Sequence, residues 1–113
     1  TPKALSIQQP WSFLIVSGFK DIENRSWPTT FRGRFLIHAG KRYDGDRRDW
    51  DWPEILKPPD FALGGIVGEA ELIDCVTKSD SLWFCGPYGF VIRNARPLPF
   101  KACRGALGFF TPS

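Results

Sequence analysis

No stretch of this chain approaches the roughly 18 consecutive apolar residues that a membrane-crossing helix needs, and no signal-peptide pattern opens it. A membrane partner is therefore not expected, and an intracellular, cytoplasmic setting is. Cysteine is scarce. Cys75, Cys85 and Cys103 are an odd count without C-x-x-C spacing, which speaks against a structural zinc site and for reduced, mostly buried thiols. His38 is the sole histidine, too little for a metal site by itself. No G-x-S-x-G nucleophile turn accompanies it, so Ser-His-Asp catalysis has no footing. Asp44, Asp46, Asp49 and Asp51 crowd together, but the D-x-D-G register and closing glutamate of an EF-hand are missing. Neither a metal nor a cofactor is expected. Methionine does not head the sequence, so Thr1 is expected to be the start of a trimmed or processed chain.

What is present is enough apolar and aromatic side chain for a core: 42% and 15% of 113 residues, the length of one domain spanning 1–113. Ten prolines and eleven glycines imply many turns, as in a β-rich domain rather than a helical bundle. Net charge is only +3, yet it is unevenly spread. Through Arg42 the balance is +5, from Lys3, Lys20, Arg25, Arg32, Arg34, Lys41 and Arg42 against Asp21 and Glu23; from Tyr43 onward it is −2. A basic first third suits an anionic partner such as a nucleic acid.

Along the chain, Ala4 to Ile7 reads as a short strand. Pro10 fits the first turn of a helix, where its missing N–H costs nothing, with Gln9 in the cap position. Trp11, Leu14, Ile15 and Gly18 fall on one helical face, and Gly18 supplies the left-handed stop. From Asp21 to Arg25 the period changes to two: Ile22 points one way, Asp21, Glu23 and Arg25 the other. Lys20 sits at the junction and can bend to that second side. Trp27-Pro28-Thr29-Thr30 ends the strand. Arg34 to Ala39 is the next one, with Arg34, Leu36 and His38 on one face, followed by a Gly-Lys-Arg turn.

Residues 40–62 form a polar excursion holding a helical turn or two, anchored by Trp50 and Trp52; such excursions are lids or insertions. Leu63 to Val76 is the longest strand candidate, and its Gly64-Gly65 start suggests a bulge. Residues 80–84, which include Trp83, read as a short helical turn, 86–89 as a turn, and Phe90 to Arg93 as a strand. Pro97 and Pro99 place the following segment on an edge. Gly105 to Phe110 closes the domain. The sum is an α+β, β-rich fold: a small, partly closed mixed β-barrel with one or two short flanking helices.

A partly exposed ion pair contributes only about 0–1 kcal/mol, so stability is a weak reason to gather Lys20, Glu23 and Arg25 beside an aromatic helix. A shared polar pocket is the sharper reading. The residues in question resemble the ASCH (activating signal cointegrator homology) domain, a branch of the PUA-like superfamily. The resemblance rests on the opening LSIQQPWSFLIVSG, on Gly18-Phe19-Lys20-Asp21-Ile22-Glu23-Asn24-Arg25 as the family's G-x-K-x-x-E-x-R pattern, and on the following RGRFLIHAGKR. Weaker echoes, GGIVGEAELIDC and WFCGPYGFVIRNARPLPFKACRGALGFF, extend it over nearly the whole chain. The resemblance implies a PUA-like barrel with a cleft beside the first helix, into which the motif's Lys20, Glu23 and Arg25 project. It also implies binding of RNA or modified nucleotides.

Two functions are carried forward. In the first, Lys20, Arg25, Lys41 and Arg42 neutralise phosphates, Trp11 or Trp27 offers a base a stacking face, and Glu23 and Gln9 read its polar edge. Pro10 lies between Gln9 and Trp11 in the same site; Arg34 and His38 share a strand face that lines it. In the second, the resemblance extends to a hydrolase role: some small bacterial family members resemble amidohydrolases that act on N4-acetylcytidine. They use the motif lysine as nucleophile, a threonine three residues later and a glutamate elsewhere, for which Glu69 and Glu71 are the strand candidates here. At the threonine's position this chain has Glu23. Lys20 would be the nucleophile, needing loss of its proton through burial or a cationic neighbour such as Arg25, and Glu23 the general base. The partner expected is RNA, a nucleotide or a nucleoside; oligomeric state is left open.

Overall fold

The computed structural model describes residues 2–44 and 61–113. Strand β1 (Ala4–Gln9) leads into helix α1 (Trp11–Val16), then β2 (Ile22–Arg25), β3 (Gly33–Tyr43), β4 (Gly65–Val76), β5 (Tyr88–Ala102) and β6 (Phe109–Phe110). The strands form one sheet in the order β2-β5-β4-β3-β1-β6. β1 runs parallel to β3, and the remaining pairs are antiparallel.

Register breaks curl this sheet. Against β5, β4 slips between Ile66 and Gly68, Glu69 and Glu71, and Leu72 and Asp74; against β3 it slips at Ile37/His38. Each irregularity adds local twist, and together they bend the strands into a half-barrel around a single apolar interior. Gly68 lets the layers close. A Cβ there would lie 2.5 Å from the Arg96 carbonyl and press on Val16 of α1. Any larger residue would hold helix and β5 apart.

Period-two alternation fills the interior as the sequence implies. Leu5 and Ile7 from β1, Phe35 and Ile37 from β3, Ala70 and Leu72 from β4, and Phe90 and Ile92 from β5 meet Ile15 and Val16 of α1. Helix α1 is short because Gly18 turns the chain at φ +83. The amides of Phe19 and Lys20 then both reach back to the Leu14 carbonyl, at 3.0 and 3.1 Å. This fold-back tucks Lys20 beneath the helix.

Several boundaries differ from the sequence reading. β3 runs on through Gly40, Lys41 and Arg42 to Tyr43, so these residues are strand rather than turn. The hydrogen bonds that hold this extension come from β1, where Gln9 pairs with Tyr43 across a bulge. Phe90–Arg93 and the proline-bearing segment after it are one strand, β5. The prolines are tolerated because β2 covers only Tyr88–Val91, leaving the second half of β5 without a described neighbour on that side. Residues 80–84 form a single turn, closed by Phe84 N–H on the Ser81 carbonyl at 3.1 Å, not a helix. One helix, α1, is found among the described residues. Within the polar excursion, Phe61 packs on Tyr43 with ring centroids 5.6 Å apart. Trp50, Trp52, Asp46, Asp49, Asp51 and the expected helical turns lie outside the described residues. The thiols are less covered than expected: Cys75 and Cys103 are half-buried and Cys85 is exposed. No described helix is long and apolar enough to cross a membrane.

Candidate nucleotide-binding cleft

A cleft of about 1030 Å³ opens beside α1. Its lining comes from Trp11 on the helix, Lys20 at the helix stop, Glu23, Asn24 and Arg25 on β2, and Trp27 just beyond. Ser6 and Gln8 of β1, Asp44, the 82–85 turn and residues 106–108 complete it.

Alternation on β2 sends Ile22 into the core and turns Glu23 and Arg25 towards the cleft. The Lys20 side chain, 5% exposed, donates from Nζ to the Ile22 carbonyl and to Glu23 Oε1 at 3.4 Å. The other carboxylate oxygen, Oε2, faces Arg25 Nη2 at 3.2 Å. Arg25 Nη2 also donates to the Ser6 carbonyl at 2.7 Å, tying β2 to β1. One carboxylate thus bridges an amine and a guanidinium, each further fixed by a backbone carbonyl. Such mutual holding keeps the donors aimed at one place without rearrangement.

Aromatic rings form the walls. Trp11 is half-buried, not fully buried as its place on the helix's apolar face suggests. Its indole N–H donates to Asp44 Oδ2 at 2.7 Å, and Lys20 Nζ sits 5.9 Å from the ring centroid. Trp27 packs edge-on against Phe90 and Phe109, with Arg25 Cζ 5.9 Å from its centroid. Trp83 and Phe84 stand on the 82–85 turn. That turn is pinned by Asn24, whose Oδ1 accepts from the amides of Cys85 and Gly86 at 2.9 and 3.1 Å while Nδ2 donates to the Trp83 carbonyl at 2.9 Å. Leu82 and Leu107, both fully exposed, also line the cleft.

The charged lining is balanced: Lys20 and Arg25 against Glu23 and Asp44. A guest held here meets flat apolar faces and a cluster of fixed donors and acceptors, with little net field. That combination fits a planar, polar-edged ring better than a bare polyanion.

Of the residues singled out from sequence, Trp11, Lys20, Glu23, Arg25 and Trp27 come together here. The others do not. The Gln9 carboxamide is consumed in the scaffold: Oε1 accepts from the Phe13 amide at 2.9 Å and Nε2 donates to the Ala62 carbonyl at 3.0 Å. Pro10, not Gln9, occupies the cap position of α1, and it is buried. His38, 1% exposed, is locked between Ser6 Oγ at 3.0 Å and the Cys103 carbonyl at 2.7 Å, which makes it a core histidine. Arg34 lies on the outer sheet face against Glu69. Lys41 and Arg42 are exposed on the extension of β3 and are not part of the cleft lining. Ser6, Gln8, Asn24, Asp44, the 82–85 turn and the 106–108 loop were missed. Asn24 falls on a position that the G-x-K-x-x-E-x-R pattern leaves unspecified, and the two loops carry no local signal. Among the described residues, no three of His, Cys, Asp or Glu gather to hold a metal.

Comparison with known proteins gives this geometry a context. The ASCH domain family model matches residues 5–90. Human activating signal cointegrator 1 is 29% identical over 114 residues, covering 86% of this chain and 20% of that protein. The mouse protein is 37% identical over 83 residues, covering 66% of this chain and 14% of its own length. The chain therefore spans a fifth or less of these relatives. A crystal structure of a mutant of ZmASCH from Zymomonas mobilis superposes with a TM-score of 0.55 at 18% identity, over 89% of this chain and 73% of that one.

Proposed function

Because this chain belongs to the ASCH domain family, a PUA-like fold associated with RNA binding, we propose that it binds single-stranded RNA or a modified nucleotide in the cleft around Lys20, Glu23 and Arg25. The observation that carries this reading is the meeting of half-buried indoles with a fixed amine-carboxylate-guanidinium cluster in one hollow. Trp11 and Trp27 offer stacking faces, which suit any base, while Glu23 accepts from and Arg25 donates to a base edge. The test is a titration with short RNA, DNA and modified nucleosides at two salt concentrations. RNA binding that weakens by about 1–3 kcal/mol in Trp11→Ala supports the reading. A wild-type protein that binds none of these ligands overturns it.

A second reading, hydrolysis of an acylated nucleoside such as N4-acetylcytidine, draws on one observation: a buried amine 3.4 Å from a carboxylate oxygen. Lys20 Nζ would attack the acyl carbon, and Glu23 would relay the lysine's proton to the leaving amine as the C–N bond breaks. Water activated by Glu23 would then hydrolyse the acyl-lysine, releasing the carboxylic acid and regenerating Lys20. Deacetylation of N4-acetylcytidine by wild type but not by Lys20→Ala supports it. Equal turnover by both proteins, or none by either, removes it.

A further inference from the structure

The cleft holds no surplus positive charge, so a nucleotide bound there needs its phosphate met elsewhere. A second hollow, of about 280 Å³, adjoins the cleft and contains Lys41 and Arg104. Ser6 stands between the two. Its carbonyl accepts from Arg25 on the cleft side, and its hydroxyl pairs with His38 Nδ1 on the other. The same chain segment walls both: Arg104 and Gly105 line the smaller hollow, residues 106–108 the cleft.

The smaller hollow has the opposite character. Lys41 and Arg104 are both exposed, and neither is paired with a carboxylate among the described residues. Close packing of its floor depends on missing side chains. A Cβ on Gly105 would come 2.8 Å from His38 Cε1 and 3.3 Å from Ser6 Oγ; one on Gly40 would come 3.4 Å from that same oxygen. His38 cannot be the anion's partner, because both ring nitrogens are already engaged. Two free cations over a glycine-lined floor present point charge and a fork of donors, the pairing that phosphate recognition uses.

We propose that this hollow is a phosphate subsite, and that Lys41 and Arg104 hold one phosphate of the RNA strand whose base occupies the cleft. The proposal rests on the nucleotide-binding reading above and makes it specific: the preferred ligand is phosphorylated, not a free nucleoside. Lys41 thereby acts beside the cleft, paired with a residue nearly at the other end of the chain.

The experiment compares wild type, the Lys41→Ala/Arg104→Ala double variant and Trp11→Ala, each titrated with a short single-stranded RNA, nucleoside monophosphates and free nucleosides over a range of salt. The double variant is expected to bind RNA more weakly, with the slope of log K against log salt flatter by about 0.7, the release expected for one single-strand phosphate. Its binding of free nucleosides should match wild type. Weakened binding of monophosphates as well would assign the subsite to the nucleotide's own phosphate; a loss confined to RNA would assign it to a neighbouring phosphodiester. Unchanged RNA affinity and slope in the double variant, with Trp11→Ala still weakened, overturns the subsite and leaves the cleft standing. No binding by wild type overturns both.

Discussion

Two clusters in this protein share one charge formula, a carboxylate between two cations, and sit in different surroundings. Lys20, Glu23 and Arg25 lie within one turn and one strand, and their side chains are 5%, 10% and 21% exposed. Arg34, Glu69 and Arg96 come from three adjacent strands; Glu69 is 6% exposed, but the two arginines are 55% and 69% exposed. Both carboxylates are covered. Only in the first cluster are the cations covered too. In the cleft the carboxylate keeps an amine tolerable out of water; on the outer face it collects guanidinium groups that remain solvated. Removing it should therefore matter in one place far more than in the other.

Glu23→Gln is the sharpest way to break this contrast. The change leaves Lys20 buried without its counter-charge, and loss of one partner of a buried pair costs about 3 kcal/mol where the second cation is partly solvated. Urea denaturation should show the loss at neutral pH, with ligand binding in the cleft lost as well. Glu69→Gln, measured side by side, should destabilise less. Equal losses would mean that cation burial does not separate the two clusters.

The contrast also shows what could be read from sequence. The inner cluster was legible because its members are three and two residues apart and change from helix stop to strand period within that span. Lys20, Glu23 and Arg25 had to share a side once Ile22 was assigned to the core. The outer cluster joins residues 34, 69 and 96, and nothing local links them; Arg34 was read towards the cleft because strand alternation gives a face but not which neighbour covers it. Register decides that, and register here depends on β4 slips that no single stretch encodes. His38 failed for the same reason: alternation put it beside Arg34, while β1 and the Cys103 carbonyl closed over it. The half-barrel itself was visible in the turns, alternation and prolines. The unbroken length of β5 was not, since two prolines argue against a strand until one of its sides is known to be unpaired.

A smaller effect should separate two asparagines. Asn24 satisfies three main-chain groups of the turn that carries Trp83 and Phe84. Asn94, exposed at φ 54, makes one bond to Glu71 at 3.2 Å on the outer face. Asn24→Ala strands the part-buried Gly86 amide and Trp83 carbonyl and should cost about 1–2 kcal/mol, with weaker RNA binding because one wall of the cleft loses its anchor. Asn94→Gly keeps the left-handed backbone open and should stay within about 0.5 kcal/mol of wild type. Thermal unfolding of both variants, followed by RNA titration, checks the pair. A turn that tolerates Asn24→Ala in both assays would place the wall's rigidity elsewhere.

The smallest effect lies in the acid limb. Hydrogen bonds from Arg34, and then from Arg96, hold the Glu69 carboxyl below its ordinary value of 4.5 against the opposing pull of burial. Arg93 does the same for Glu71. A carboxylate whose pKa is lower folded than unfolded binds fewer protons in the native state, so its contribution is full above 4.5 and disappears as pH falls through the lower folded value. Unfolding free energy followed from neutral to acid pH should therefore decline for wild type once pH drops below about 4.5, and more shallowly for Glu69→Gln. The two curves should converge at the acid end. Because Arg34 and Arg96 are largely in water, raising the salt should shrink the gap between those curves, whereas the loss in Glu23→Gln should survive it. A gap that ignores salt would mean the outer arginines act as buried partners, and the distinction between the two clusters would then rest on the first cluster's place in the cleft alone.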